Sequence, residues 1–599
     1  MSESTIADIR FPDPFHSQPA DFVTLVERRM RVFAGEILEK PSWWTKVRDA
    51  EIVKKWRKEF AEQDSNLIRD SWIDRPEKFK AKADEEADYV WRKNKFWPKT
   101  KISDAQLDYV FDWLRWLADK RDAPTGVEMM HIPNVYQSYN LISPELREAL
   151  LKGASTLESV PDAEKDWHPK SNNQVLDLVH PSLYCFYIGK SFVKLPEDGT
   201  LHVPTVEEYI QSRIDITSRH IPDHEQWSTL SKQHQWLPTD FSVSDMGEVK
   251  CISYINNLHP DEHKPLYATV TSILEKFVPL WDRVLTDVLN PRKPMIQADP
   301  LKWYEGCELP KPRREDFLKQ HPGDRQAGLE AYWEAEGKWN KEREPIIPEP
   351  GPFSPPPHTS PDRVTFTLKG RTVQVIVKMA NIVLTPDKPE YAGGSWHVEG
   401  MDNERIVATG IYYYDTSNVT ESKLRFRKSV SHDMHLAYEN GDYSGFLKVY
   451  GIEGCDGLLN QDLGHVVTKE NKCLVFPNIW QHRVSPFQLV ERSKPGHRKI
   501  LCFFLVNPTT SILSTSSVPP QQFEWYAREL ERAPPVAKLP LELAEMIIDG
   551  LKPDSLGEGG LTTIEQAKKE RLKLMEERAN FVLQQNEKIY EMNFNMCEH

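Results

Sequence analysis

Between residues 361 and 508 apolar and polar positions alternate in short runs. RVTFTLK and RTVQVIVK flank Gly370 and predict a β-hairpin. NIVLT, SWHVE, RIVATGIYYYD, KLRFRK, FLKVYGI, GHVVT, KCLVF, HRVSPFQLV and KILCFFLV predict further strands at close spacing. Few helical signals intervene, so the expected architecture is a β-sandwich or barrel such as a jelly roll. Elsewhere the period is helical. Arg28 to Glu39 and Asp49 to Gln63 mix charges with apolar residues at helical spacing. Leu266, Val270, Ile273, Leu274, Phe277, Leu280 and Trp281 mark an amphipathic helix over 266–289, with a kink or break expected at Pro279. Near the C-terminus Thr562-Thr563-Ile564-Glu565 resembles a capping box. Leu572, Met575, Ala579, Val582 and Ile589 form a stripe beyond it, which packs on the protein's own surface or on a protein partner.

These periods divide the chain into a helical N-terminal region (1–155), a strand-rich domain (156–515) and a helical C-terminal extension (516–599). The class is α+β. Residues 309–360 are polar and proline-rich and read as an extended insertion. Trp43, Trp44, Trp56, Trp91, Trp97, Trp113 and Trp116 crowd the first region at spacings that suit a core. The 599 residues are 39% hydrophobic and 28% charged, values of a globular protein large enough to need no staples. The net charge of −14 disfavours nucleic acid as a partner. Seven dispersed cysteines without a CxxC pair argue against a disulfide framework and a structural zinc site. No apolar run spans a membrane and no signal peptide opens the chain, so a cytoplasmic or nuclear location is expected.

Within the alternating region lies GGSWHVEG, residues 393–400. On a strand, His397 and Glu399 project to the same face. A tripeptide His-x-Asp/Glu occurs by chance about three times in a chain of this composition, so only its setting is informative. His259-Pro260-Asp261, the other match, contains a proline that suits a turn. A mononuclear iron site of two histidines and one carboxylate needs a third ligand from another strand. His482, 83 residues on and opening an alternating segment, is the best candidate. His432, His435 and His465 are its rivals. A keto-acid co-substrate needs a cation for its distal carboxylate, and the planar fork of arginine suits it. Arg498 opens an apolar strand 16 residues after His482; Arg483 and Arg492 compete with it.

The stretches DWHPKSNNQVLDLVHPSLY, SYINNLHP, GGSWHVEGMDNERIVATGIYYYD, VFPNIWQHRVSPFQL and PGHRKILCFFLVNP closely resemble the fungal proteins of domain of unknown function 4246. The C-terminal part in turn resembles the 2-oxoglutarate and Fe(II)-dependent dioxygenases. That resemblance implies a double-stranded β-helix core, with His397, Glu399 and His482 holding Fe(II) and Arg498 holding the tail of 2-oxoglutarate. Tyr412 and Tyr414 are candidates for a second contact to that tail. Glu399 stands where Asp is commoner, and the gap to Arg498 is longer than usual. The implied reaction is oxidative decarboxylation to succinate, coupled to hydroxylation or demethylation of a small molecule or a protein side chain. Two alternatives are a barrel that binds ligands without redox chemistry and an interaction scaffold built on the terminal helices.

Overall fold

The computed structural model describes residues 9–15, 22–71, 101–217, 229–355, 363–430, 438–439, 442–453, 455–550 and 561–596. The alternating region supplies β1 (Arg371–Leu384), β2 (Ile406–Ser417), β3 (Lys423–Ser429), β4 (Asn460–Val467), β5 (Cys473–Pro477), β6 (Gln481–Val484) and β7 (Gly496–Val506). Strands β5, β2, β7 and β1 lie side by side in that order at the centre of an antiparallel sheet. Tyr136–Ser138 and Glu128–Met129 extend one edge; Thr239–Val243 and Val249–Cys251 extend the other, and Val175–Val179 also pairs with β1. A second, three-stranded antiparallel sheet runs β4, β3, β6. Helix and a large antiparallel sheet together make the chain α+β.

Both faces of the large sheet are buried. Val373, Val375, Val377 and Met379 of β1 share one face with Tyr412, Tyr414, Leu501 and Phe503, and helix α1 (Lys264–Val288) packs there. The helix comes close enough that a Cβ at Gly410 would sit 2.6 Å from Phe277 Cδ1, which only glycine avoids. The opposite face carries Ile376, Ile411, Tyr413, Cys502 and Phe504, packed on Leu424, Phe426 and Val466 of the small sheet. Each such fully buried side chain contributes about 1.5–3 kcal/mol of burial free energy.

The N-terminal tryptophans form a separate core, as expected. Trp43, Trp56, Trp113 and Trp116 pack with Phe33, Phe60 and Phe111 from the helices Leu25–Leu38, Ala50–Ser71 and Asp104–Lys120. Trp91 and Trp97 lie outside the described residues.

Several elements differ from the sequence expectation. Residues 363–369 form no strand; instead the backbone at Phe366 and Leu368 is held by Thr286 and Asp282 of α1. The expected hairpin at Gly370 is therefore absent. FLKVYGI is not a strand but most of the helix Tyr443–Tyr450, started by Asp442 accepting from Gly445 N–H and ended by Gly451 at φ 73°. The polar insertion is not extended throughout, since Arg314–Gln320 and Arg325–Glu342 are helices. Helix α1 runs unbroken through Pro279. Helix α2 (Ile564–Gln585) carries a capping box, made by Thr563 and Gln566 rather than Thr562 and Glu565. No helix among the described residues is long and apolar enough to cross a membrane.

Candidate metal centre

The segment SWHVE forms no long strand. His397 pairs directly with His482 instead, through His397 N–H to His482 O (3.2 Å) and His482 N–H to His397 O (3.0 Å). Gly393 makes that approach feasible. Its φ is 92°, and a Cβ there would lie 2.8 Å from the Val484 carbonyl oxygen. Downstream, Asn478 locks the carboxylate-bearing residue at both backbone groups. Its Oδ1 accepts from Glu399 N–H and its Nδ2 donates to Glu399 O, each at 2.9 Å. This residue lies in the FPNIW turn before His482. It passes unnoticed in sequence, since asparagine in a turn needs no special explanation.

His397, Glu399 and His482 thereby converge, with one donor atom of each within 4.8 Å of the others. His397 Nε2 lies 3.8 Å from Glu399 Oε1, and His482 Nε2 lies 3.4 Å from the same oxygen. Two ligands of one ion at about 2.1 Å are at most about 4.2 Å apart, so both separations fit a common ion. The tautomer fits as well. His397 Nδ1 is 2.8 Å from the Ser395 carbonyl, which only accepts, so Nδ1 carries the hydrogen and Nε2 presents its lone pair to the site. The ring of His482 is wedged against Phe476 and Phe426, with centroids at 4.9 and 6.3 Å, and among the described residues its Nδ1 has no protein partner. Burial, the neighbouring His482 and the other nearby charges leave His397 at about 4. Burial opposes ionisation of Glu399, but the close approach of His482 and the two imidazoles hold it down at about 2. One side of the cluster is open: His397 is 36% exposed, Glu399 14% and His482 5%.

A second group, His168, Asp177 and His180, also brings three donor atoms within 4.8 Å. Its hydrogen bonds argue against a metal. His180 Nδ1 accepts from Ser182 N–H (3.2 Å), so its Nε2 carries the proton and has no lone pair to give. His168 Nδ1 is engaged by Asp177 Oδ2 at 2.8 Å, and Arg571 stands 3.6 Å from the same oxygen. This cluster is a hydrogen-bonded dyad with a buried histidine beside it.

Arg498 lies on the same face of β7 as Cys502 and Phe504, inside the space between the sheets, and is 2% exposed. Among the described residues no carboxylate pairs with it. Its Nη1 donates to Ser422 Oγ and to Thr468 Oγ1 (3.5 Å), its Nε has no partner among the described residues, and its Cζ sits 5.2 Å from the Tyr413 ring and 5.5 Å from Phe487. A buried guanidinium without a counter-ion is a ready anion site. Tyr412 and Tyr414 do not join it. They face helix α1 on the opposite side of the sheet, and Tyr413 takes the inner position. Arg483 stacks on Trp396 at 4.6 Å, and Arg492 is exposed and paired with Glu390. His465 sits on β4 opposite Arg425 and is not part of the cluster. His432 and His435 lie outside the described residues. His259 is a turn residue as expected, its Nδ1 accepting from Asp261 and Glu262 N–H.

Lys378 is a cation that the sequence does not single out. It is half-buried on the inner side of β1 opposite Cys502, and its charge bears on Glu399 and His397 as well as on Asp177 and His180. A lysine between Val377 and Met379 in an apolar strand is the available signal. Outside the cluster, a cleft of about 990 Å³ is lined by His168, Asn172, Glu390, Tyr391, Ser395 and Phe487 among others. It shares Ser395 with the His397 hydrogen bond and Phe487 with the Arg498 contact.

A family model described as "Protein of unknown function (DUF4246)" matches residues 104–529, and a companion model, "Domain of unknown function DUF4246, N-terminal", matches residues 2–59. No curated protein matches the chain. Among solved structures, it is similar to the Fe(II)/(alpha)ketoglutarate-dependent dioxygenase TqaL at 11% identity, covering 62% of this chain and 92% of that one, with a TM-score of 0.22. It is similar to the dioxygenase for auxin oxidation in rice at 10% identity, covering 68% and 81%, also with a TM-score of 0.22. IDO from Bacillus thuringiensis is matched over 45% of its length and 22% of this chain, at 12% identity and a TM-score of 0.15. These structural likenesses are weak.

Proposed function

As this chain belongs to the DUF4246 family of proteins of unknown function, its activity has to be sought in the site itself, and we propose that it is an Fe(II)- and 2-oxoglutarate-dependent oxygenase with a double-stranded β-helix core. The observation that carries this reading is the convergence of His397 Nε2, Glu399 Oε1 and His482 Nε2, with the hydrogen of His397 tied away on Ser395. Two imidazoles and one carboxylate on one side of an ion are the donor set of non-haem Fe(II) oxygenases. Bound there, Fe(II) supplies the redox chemistry that couples decarboxylation of a keto acid to oxidation of a C–H bond.

The chain's own residues account for the rest. Arg498, with Ser422 and the Tyr413 ring, receives the distal carboxylate of 2-oxoglutarate in a place from which water is excluded. Phe426 and Phe476 wall His482 and keep the inner side dry. Asn478 fixes Glu399, and Ser395 fixes the tautomer of His397. The cleft beside Ser395 is of small-molecule size and takes the substrate, which is hydroxylated or demethylated.

The test is an anaerobic titration of the purified chain with Fe(II) and 2-oxoglutarate, followed in the visible range. A weak charge-transfer band that is absent in His397→Ala, together with succinate release in air, is the expected result. Folded wild-type protein that gives neither band nor succinate removes the oxygenase and leaves a non-catalytic barrel.

A further inference from the structure

The ligand-bearing segments have an outer side as well as an inner one. Alternation turns Trp396, Val398 and Gln481 away from His397, Glu399 and His482. Val398 and Gln481 are held by a single stretch, residues 581–591, and Trp396 is tied to it through Arg427; the stretch lies beyond the part of the chain matched by the family models. Val398 packs with Phe581, Ile589 and Tyr590. Gln481 Nε2 donates to Asn586 Oδ1 at 2.7 Å, and Arg427 Nη2 donates to the same oxygen at 3.3 Å. Arg427 also donates through Nε to Gln481 Oε1 (2.7 Å), pairs with Glu591 (2.8 Å) and lies 4.8 Å over the Trp396 ring. Tyr590 Oη donates to the Ile479 carbonyl, two residues before Gln481, at 3.0 Å.

The local backbone is unusual in the same place. Helix α2 ends at Gln585 and continues as a π-helical turn, Asn586–Tyr590. Such turns are rare and recur at functional sites. Here the turn brings both Asn586 and Tyr590 against the segment that leads into His482. Gln481 and Tyr590 are fully buried, so the contacts are shielded from water and geometrically demanding.

We propose that residues 581–591 are the outer brace of the metal centre and that Asn586 is a positioning residue for His482 and, through Arg427 and Trp396, for His397. The proposal rests on the metal reading of the site given above. Asn586 acts in these contacts through its acceptor oxygen alone, so an aspartate, which keeps an acceptor there, substitutes for it.

The test is Co(II) binding to the full chain, measured by calorimetry and by the Co(II) d–d absorption. Asn586→Ala is expected to weaken Co(II) about 10- to 100-fold and to shift the absorption bands, with secondary structure retained. Asn586→Asp is expected to recover most of the affinity, and Leu583→Ala, at a side chain 67% exposed on α2, to leave it unchanged. Phe581→Leu, a milder change, is expected to weaken binding about three- to tenfold, so the outcome does not hang on one variant. Wild-type affinity in Asn586→Ala, or an Asn586→Asp no better than the alanine, overturns the brace. A wild-type chain that binds no Co(II) overturns the oxygenase reading instead.

Discussion

One carbonyl oxygen, that of Ser395, fixes which edge of the His397 ring is free. His397, Glu399 and His482 are legible in sequence as candidates because the first two stand two residues apart and His482 opens an alternating segment 83 residues on, although SWHVE itself forms no long strand. Replacing His397 by Ala should abolish Co(II) or Fe(II) binding measured by calorimetry, and Asn478→Ala should weaken it about 10-fold or more by releasing the Glu399 backbone. Arg498 is predicted to set the affinity for 2-oxoglutarate. Arg498→Ala should raise the concentration needed for half-maximal succinate formation by about 10- to 100-fold, the worth of a hydrogen bond to a charged group. Arg498→Lys should lose less. The tyrosines show where sequence stops helping. Parity correctly groups Tyr412 with Tyr414, but the sheet is buried on both faces, by α1 on one side and the small sheet on the other. Hydrophobicity then carries no label for inside and outside, and Tyr413 holds the inner place.

At the level of elements, the same ambiguity explains the misread FLKVYGI. Seven residues rich in aromatic and β-branched side chains fit a strand as well as a buried helical turn, and the caps Asp442 and Gly451 decide for the helix. Helix α1 was legible from its period, and its passage through Pro279 follows from packing that outweighs one lost hydrogen bond. Its closest contact gives a prediction. Gly410→Ala should lower the unfolding midpoint, because the added methyl meets Phe277 at 2.6 Å with α1 behind it. His131 gives another. It is buried where a Cβ at Gly35 would touch its Nδ1, and burial, with His465, Arg31 and Lys472 adding to it, pushes its pKa down to about 3. The unfolded chain therefore takes up the proton first. Stability is fully present above about pH 6.5 and falls as the pH drops toward 3, by about 2 kcal/mol at pH 5 from this group. Thermal unfolding between pH 7.5 and 5 should show that slope, and His131→Gln should flatten it.

For the molecule as a whole, length and composition anticipated a large globular body, and the crowded N-terminal tryptophans pack in a core of their own. What composition hides is the dependence of the centre on segments far apart in the chain. A metal held by the folded form alone stabilises it by about 2.7 kcal/mol at 100 times Kd. Co(II) in that excess should raise the unfolding midpoint by a few degrees in wild type and leave His397→Ala unmoved. Removing the ion with a chelator should reverse the shift.

Helix α2 and the turn after it touch Asp166 through Arg571, Ser231 through Glu577, Glu404 through Arg578 and the Pro14 carbonyl through Gln585, a separation of 571 residues in the last case. Contacts that distant close late, because the loop entropy they must overcome is not repaid until most of the chain is in place. On refolding, the helical signal should return first and Co(II) uptake should trail it as a distinct slower phase, so the centre matures only once its farthest tie has been made.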